Sequence, residues 1–369
     1  MSTRVKPTAM PIEDITVSVY KVPTDSPESD GTYEWESTTI VVVEAAAGGM
    51  KGLGYSYADT AAATVVRELL ADVMRGRDAM AVTGSFLAMV SAVRNLGRAG
   101  IASMAISAVD AALWDLKARL LELPLVTLLG PVRDAAPVYG SGGFTSYSAA
   151  RLCEQFSAWK SKGIERFKMK VGRHPEDDKA RVREARACVG DDAQLFVDAN
   201  GAYSRKQALA MADAFAQFRV CWFEEPVSSD DLAGLRLLRD RAPAGMDIAA
   251  GEYGYDLFYF ERMLENDAVD VLQADATRCG GITGYMRAGV LCESRCMPLS
   301  AHCAPSLHAH VSCALPAFRH LEYFHDHQRI EHLLFDGVLT PEHGELRPDL
   351  SRHGFGLELK RRDAERYAV

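Results

Sequence analysis

Two textures of apolar and polar residues divide the chain. Over the first third, "DITVSVYKV" and "STTIVVVEA" alternate or run apolar as strands do, and "GGMKGLGYSY" reads as a turn and a third strand. The polar, turn-rich "PTDSPESDGTYEWE" lies between the first two strands and reads as their connection. Apolar residues then recur three and four apart in "TAAATVVRELLADVMRG" and "GIASMAISAVDAALWDLKARLLELPLVTLLG", the spacing of helices with one buried face. An α+β unit over residues 1–130 is predicted.

From about residue 136 the pattern changes to short β-rich runs, each followed by a helical segment. The runs are "APVYGSGG", "RFKMKVG", "QLFVDANG", "VCWFEEPV", "DIAAGEYG", "VDVLQADAT", "MPLSAHC" and "RHLEYF". Strands that alternate with helices form parallel sheets covered by helices, and eight of them suggest an α/β barrel over residues 131–335.

Composition narrows the function. The 369 residues are 48% hydrophobic, enough for two domains and a large core. A formal net charge of −9, with no Lys/Arg run longer than three, argues against nucleic acid or an anionic membrane as partner. The eight cysteines show no CxxC and read as reduced thiols of a cytoplasmic protein. No leader-like h-region and no apolar run long enough to span a bilayer stands in the sequence. Histidines 308, 310, 325 and 327 have no zinc-finger spacing and carry no metal expectation.

Chemistry enters at the ends of the barrel strands. Each of the last seven runs ends near an ionisable residue: Lys170, Asp198, Glu224, Glu252, Asp275, His302 and Glu322, at intervals of 20 to 28 residues. A barrel brings the C-terminal ends of its strands to one mouth, so these seven are expected to converge. Asp198, Glu224 and Glu252 come from consecutive strands, and three carboxylates forced together call for a cation. An all-oxygen set suits Mg²⁺, with Mn²⁺ as a substitute. Glu225 cannot share the inward face with Glu224, and a buried ion pair is its expected fate.

Lys168 and Lys170 share a strand face and should both enter the mouth. Two close cations lower each other's pKa, which would move one lysine towards a general base near neutral pH. Asp275 and His302 sit on adjacent strands, where a carboxylate can fix the imidazole tautomer and raise its basicity. Glu322 could donate to a developing oxyanion only if protonated, so a raised pKa is expected. A cation site, a protonated lysine and bases on two sides suit removal of a proton α to a carboxylate, through an enediolate.

The stretches "AISAVDAALWDLKARLLELPLVTLLG", "KMKVG", "VGDDAQLFVDANGAYS", "WFEEPV", "GE" at 251–252, "QADATRCGGITG", "SAH" and "LEYF" together resemble the enolase superfamily, within it the mandelate racemase subgroup. The resemblance implies a modified (β/α)₇β TIM-type barrel under an α+β capping domain, completed by the C-terminal segment 336–369. Strands of the cap are then expected to be joined by "GELRPDLSRHGFGLELKRR". It implies that Asp198, Glu224 and Glu252 bind Mg²⁺, and that Lys170 is the base on one face, with Lys168 at the substrate carboxylate. The His302–Asp275 pair serves the opposite face, Glu322 donates to the carboxylate, and Asn200 contacts a substrate oxygen.

Members of this subgroup dehydrate acid sugars to 2-keto-3-deoxy acids or racemise and epimerise 2-hydroxy and sugar acids; the same residues serve both. Dehydration is the expected reaction, a small-molecule carboxylate the expected partner, and a homo-oligomer the expected assembly. A ligand-binding descendant without turnover would be expected to have lost one of Lys170, Asp198, Glu224, Glu252 or His302, and all five are present. Specificity is expected in two cap loops, 25–37 and 52–60, where Tyr33, Trp35, Tyr55 and Tyr57 offer flat walls with polar tips. Glu28 and Asp30 would disfavour a second substrate carboxylate nearby.

Overall fold

The computed structural model describes residues 9–369. Its N-terminal part is a three-stranded antiparallel sheet, β1 (Asp14–Ser29), β2 (Glu34–Ala47) and β3 (Met50–Ser56), in that order. Helices α1 (Thr60–Val65), α2 (Ala71–Met74), α3 (Val82–Ala92), α4 (Ile101–Leu120) and α5 (Leu125–Leu129) follow, with a π-helical turn between α1 and α2. The outer face of the sheet and the helices enclose an apolar core of their own, built on Val41, Val43, Val66, Phe86, Ile106 and Leu113.

Eight parallel strands then close on themselves. They are β4 (Ala136–Gly142), β5 (Arg166–Lys170), β6 (Gln194–Asp198), β7 (Val220–Glu224), β8 (Asp247–Ala250), β9 (Val271–Ala274), β10 (Leu299–Ala301) and β11 (Phe318–Phe324). They pair in chain order, and β11 pairs with β4 to complete the ring. All eight runs read from the sequence are barrel strands. The connecting helices are α6 (Ala149–Lys160), α7 (Pro175–Val189), α8 (Arg205–Ala216), α9 (Leu232–Arg241), α10 (Leu257–Glu265), α11 (Gly281–Ser294) and α12 (Pro305–Ser312), with α13 (His325–Leu334) after the last strand. Tyr139, Phe196, Trp222, Ala249 and Val271 fill the barrel interior below the mouth, so it is a packed core and not a channel.

Three details differ from the sequence reading. The stretch 23–36 is mostly strand: a register shift between Pro23 and Glu28 absorbs its turn-forming residues as a bulge, and the true turn is only Asp30–Tyr33. Asp30 Oδ1 caps that turn, accepting from the backbone N–H of Thr32 (2.6 Å) and Tyr33 (2.7 Å). The long hairpin reaches the barrel mouth, where Gly31 sits so close that a Cβ would stand 2.5 Å from Ala199 O and 2.7 Å from Val171 O. Only glycine fits that approach.

The C-terminal segment does not join strands of the cap sheet as expected. Its β-pairs go elsewhere: β12 (Phe335–Asp336) pairs with β14 (Glu358–Leu359), and β13 (Glu345–Leu346) pairs antiparallel with β4 of the barrel. The segment meets the cap instead through side chains and two isolated bridges, Tyr20–Ala368 and Pro124–Gly354. Arg119 donates to Glu358 Oε1 (2.5 Å), Arg361 pairs with Glu44, and Val369 N–H donates to Val19 O (3.1 Å) beside a Tyr20–Ala368 bridge.

Cys153 on α6 and Cys188 on α7 are joined as a disulfide, not left as thiols. Neighbouring helices bring their Cα atoms to 5.4 Å, inside the range a disulfide requires, and a separation of 35 residues gives no hint of it. Among the described residues no helix is long and apolar enough to cross a membrane.

Candidate active site

The ionisable strand ends meet at one mouth. In the parallel register Lys170 lies beside Asp198 and Asp198 beside Glu224, so three consecutive strands end at one level. Glu252 follows β8 after Gly251, whose φ is 136°; a Cβ there would stand 2.1 Å from Gln273 O, so glycine is required to carry the chain round to Glu252. Asp198, Glu224 and Glu252 are all buried, and each offers an oxygen within 4.8 Å of the other two.

Electrostatics at this trio fit a divalent cation. Burial, and then the Asp198 charge, push Glu224 up to about 8 against the opposing Lys168. Burial would raise Asp198 too, but Lys170 and Lys168 hold it below the usual carboxylate range. Glu252 Oε2 is buried with no hydrogen-bond partner among the described residues. Three oxygen donors, one of them orphaned, match what Mg²⁺ takes from a protein, with its other positions left to water or substrate.

Both lysines point inward, yet neither has the lowered pKa expected of a crowded pair. Lys168 Nζ lies 2.5 Å from Glu224 Oε1 and 2.8 Å from Glu322 Oε1; Lys170 Nζ lies 2.5 Å from Asp198 Oδ2. Burial alone would lower both, but these carboxylates outweigh it and raise both above the usual lysine value. The acids each lysine faces, and not the other lysine, set its charge.

Glu322 departs in the same way. Burial would raise it, but Lys168 and then His302 hold it well below the ordinary value, so it is a carboxylate and not the protonated donor expected. It accepts from Cys303 N–H at 3.1 Å. Glu225 has no ion pair among the described residues either. It is buried at φ 37°, its Oε1 has no partner among the described residues, and burial with Glu252, Asp198 and Glu224 pushes its carboxyl far up.

His302 and Asp275 form the anticipated dyad, with Nδ1 2.8 Å from Asp275 Oδ2. Burial would lower the imidazole, but Glu252, Glu322 and the Asp275 bond raise it. His302 Nε2 faces Glu252 Oε2 at 3.4 Å. Asn200 sits at φ 46° in the turn after β6, off the strand, where its backbone N–H donates to Asp198 Oδ1 at 2.9 Å.

Above these groups lies a pocket of about 540 Å³ between barrel and cap. Lys170, Asn200, Glu252, His302 and Glu322 line it; Lys168, Asp198, Glu224 and Asp275 stand behind them, buried. Of the cap aromatics, Tyr33, Trp35 and Tyr57 line the pocket and Tyr55 does not. Tyr55 is fully buried, its hydroxyl donating to Glu331 Oε1 at 2.7 Å, while Tyr57 stacks on His327 one helical turn nearer the mouth. Trp35 Nε1 donates to Glu28 Oε2 at 2.8 Å, which fixes the indole.

Two further residues line the pocket: Arg278, unmarked in the sequence, and His327, which the sequence offers only as a histidine without metal-site spacing. Arg278 lines the pocket with Nη1 3.3 Å from Glu252 Oε1 and Nε 3.7 Å from Asp275 Oδ2, tying two of the site carboxylates together. It lies within "QADATRCGGITG", three residues past Asp275, and that spacing was its only signal. His327 reaches the pocket because α13 starts at the mouth directly after β11.

Comparison with known proteins places this geometry. Residues 14–130 match the family model described as the mandelate racemase/muconate lactonizing enzyme N-terminal domain, and 150–364 the one described as enolase C-terminal domain-like. A mandelate racemase/muconate lactonizing enzyme-like protein from Rubrobacter xylanophilus superimposes with a TM-score of 0.96 at 56% identity, covering 97% of this chain and 100% of that one. The L-talarate/galactarate dehydratase of Salmonella typhimurium is 32% identical over 84% of this chain and 78% of its own. A structure of a mutant L-talarate/galactarate dehydratase liganded with Mg and L-glucarate superimposes with a TM-score of 0.92 at 29% identity, over 100% of this chain and 95% of that one. The 3,6-anhydro-alpha-L-galactonate cycloisomerase of Streptomyces coelicolor is 31% identical over 95% of this chain and 98% of its own.

Proposed function

Because the chain belongs to the mandelate racemase/muconate lactonizing enzyme family of the enolase superfamily, we propose that it is a Mg²⁺-dependent dehydratase that converts an acid sugar to a 2-keto-3-deoxy acid. The observation that carries this reading is the placing of Lys170 and His302 in one pocket beside the carboxylate trio, from strands three apart around the ring. Relatives named as dehydratases of sugar acids support it.

Asp198, Glu224 and Glu252 would hold Mg²⁺, which supplies stabilisation of the negative charge that develops on the substrate carboxylate when the α-proton leaves. Lys170 takes that proton. As that base Lys170 would act from its neutral form, and a cation held by Asp198 would weaken the contact that now keeps the ammonium protonated. Lys168 stays protonated between Glu224 and Glu322 and adds positive charge below the substrate carboxylate. His302, whose imidazole Glu252, Glu322 and the Asp275 bond push up, gives a proton to the β-hydroxyl as the C–O bond breaks; water leaves, and the enol becomes the keto acid.

A second reading rests on the same pair. Two proton-transfer groups facing one pocket also suit racemisation or epimerisation, with one removing the α-proton and the other returning it. Proton NMR in D₂O with Mg²⁺, across sugar acids and 2-hydroxy acids, tests both. A 2-keto-3-deoxy product supports dehydration; deuterium at the α-carbon in both epimers with no keto acid replaces it with epimerisation.

A further inference from the structure

The pocket carries positive charge at one end only. Its basic groups, Lys170, Arg278 and His302, all come from the barrel, and all are already engaged, His302 with Asp275. Lys170 is paired with Asp198, while Arg278 donates to Glu252 O (3.1 Å) and Oε1 (3.3 Å) with its guanidinium over the Tyr253 ring. The cap's contribution to the lining contains no lysine, arginine or histidine among the described residues. What it offers is two carboxylates, Asp30 and Asp59, the rings of Tyr33, Trp35 and Tyr57, and the hydroxyl-bearing Ser37 and Thr39.

Arginines do occur near this wall, but they face away from the pocket. Arg173 pairs with Glu34 (2.7 Å), and Arg151 with Glu154 (3.0 Å) and Asp25 (3.4 Å), and neither lines the cavity. His327, on the barrel side, is neutral: burial and the neighbouring His302 charge hold it well below the usual histidine value. Its Nδ1 accepts from Ala304 N–H at 3.4 Å, which leaves the proton on Nε2 as a hydrogen-bond donor without charge.

A second carboxylate at the far end of a substrate would therefore meet acids and neutral groups, whereas sugar hydroxyls would find both acceptors and donors, and sugar C–H faces would find flat rings. We propose that the substrate carries a single carboxylate, bound at the barrel floor, and a neutral polyhydroxylated tail received by the cap wall and His327; it is an aldonate and not an aldarate. This rests on the dehydratase reading above and narrows its substrate class.

The test is kcat/KM of the Mg²⁺-loaded full chain on pairs that differ only in the terminal group: gluconate and glucarate, galactonate and galactarate, mannonate and mannarate, with keto acid formation and α-proton exchange both recorded. In any pair that is turned over, the monoacid is expected to exceed the diacid by at least tenfold. Equal rates, or a faster diacid, would overturn the inference while leaving dehydration in place. No product and no exchange from any pair would overturn the dehydratase reading, and the inference with it. Ser37→Arg, which adds a cation to the cap wall, is expected to raise kcat/KM for the diacid and narrow the preference; an unchanged ratio would show that the tail does not reach this wall.

Discussion

Lys168 Nζ lies 2.8 Å from Glu322 Oε1, with both side chains about 1% exposed. The same ammonium also touches Glu224, so one cation holds two buried acids from opposite sides of the mouth. Lys168→Met strands both. Removing one partner of a buried pair costs about 3–5 kcal/mol. Urea unfolding in EDTA should show a loss of that order at pH 8 and a smaller one at pH 5.5, where the stranded carboxylates can take up protons.

Metal dependence has a readout that needs no substrate. An ion that binds only the folded chain stabilises it by about 2.7 kcal/mol at a hundred times its Kd. Thermal unfolding of the wild type is expected to shift upward with Mg²⁺ and back with EDTA. Asp198→Asn should remove the shift, and a variant that kept it would take Asp198 out of the cation site.

Lys170→Ala and His302→Asn should each lower turnover by roughly 10²- to 10⁴-fold, the usual contribution of a positioned acid or base. Their failures should differ. Lys170→Ala is expected to abolish α-proton exchange along with product, whereas His302→Asn should retain exchange with solvent deuterium while losing the hydroxyl-expulsion step. Loss of both signals in both variants would argue against a division of labour.

Glu28 gives a pH prediction away from the chemistry. Burial, and then Asp326, raise its carboxyl to about 9 from an ordinary 4.5, so the folded chain holds a proton there that the unfolded chain releases. Its contribution is fully present below 4.5 and is lost as pH rises through about 9, at up to about 1.4 kcal/mol per pH unit. Glu28→Gln keeps an acceptor for Trp35 without that dependence. The variant should be the more stable form at pH 8.5, with the difference closing towards pH 5, as read from denaturation midpoints.

The barrel is legible because its strands are short, apolar and separated by helices, and the last seven of the eight end near an ionisable residue in phase. Convergence of Asp198, Glu224 and Glu252 followed from topology alone. Protonation did not, because it depends on which charges lie nearest in space: Lys168 and Lys170 are two apart on one strand, but their dominant neighbours are acids from β6, β7 and β11. Tyr55 and Tyr57 looked equivalent as strand residues two apart. They meet α13 at Glu331 and His327, four residues apart, and only the turn nearer the mouth reaches the pocket. The hairpin was read as loop because a bulge can hide turn-forming residues inside a strand.

The clip formed by Arg361, Ala368 and Val369 on β1 and β2 bears on how the protein is made. The cap sheet leaves the ribosome first, but these last contacts come from the far side of the whole barrel. At about 5–20 residues per second, the roughly 240 residues after the cap take on the order of ten to fifty seconds to synthesise. For that interval the hairpin that will wall the pocket has neither its barrel floor nor its closing segment. Nascent chains are most exposed to proteases and misassembly in that window, and a fragment ending near residue 130 would be held in it permanently.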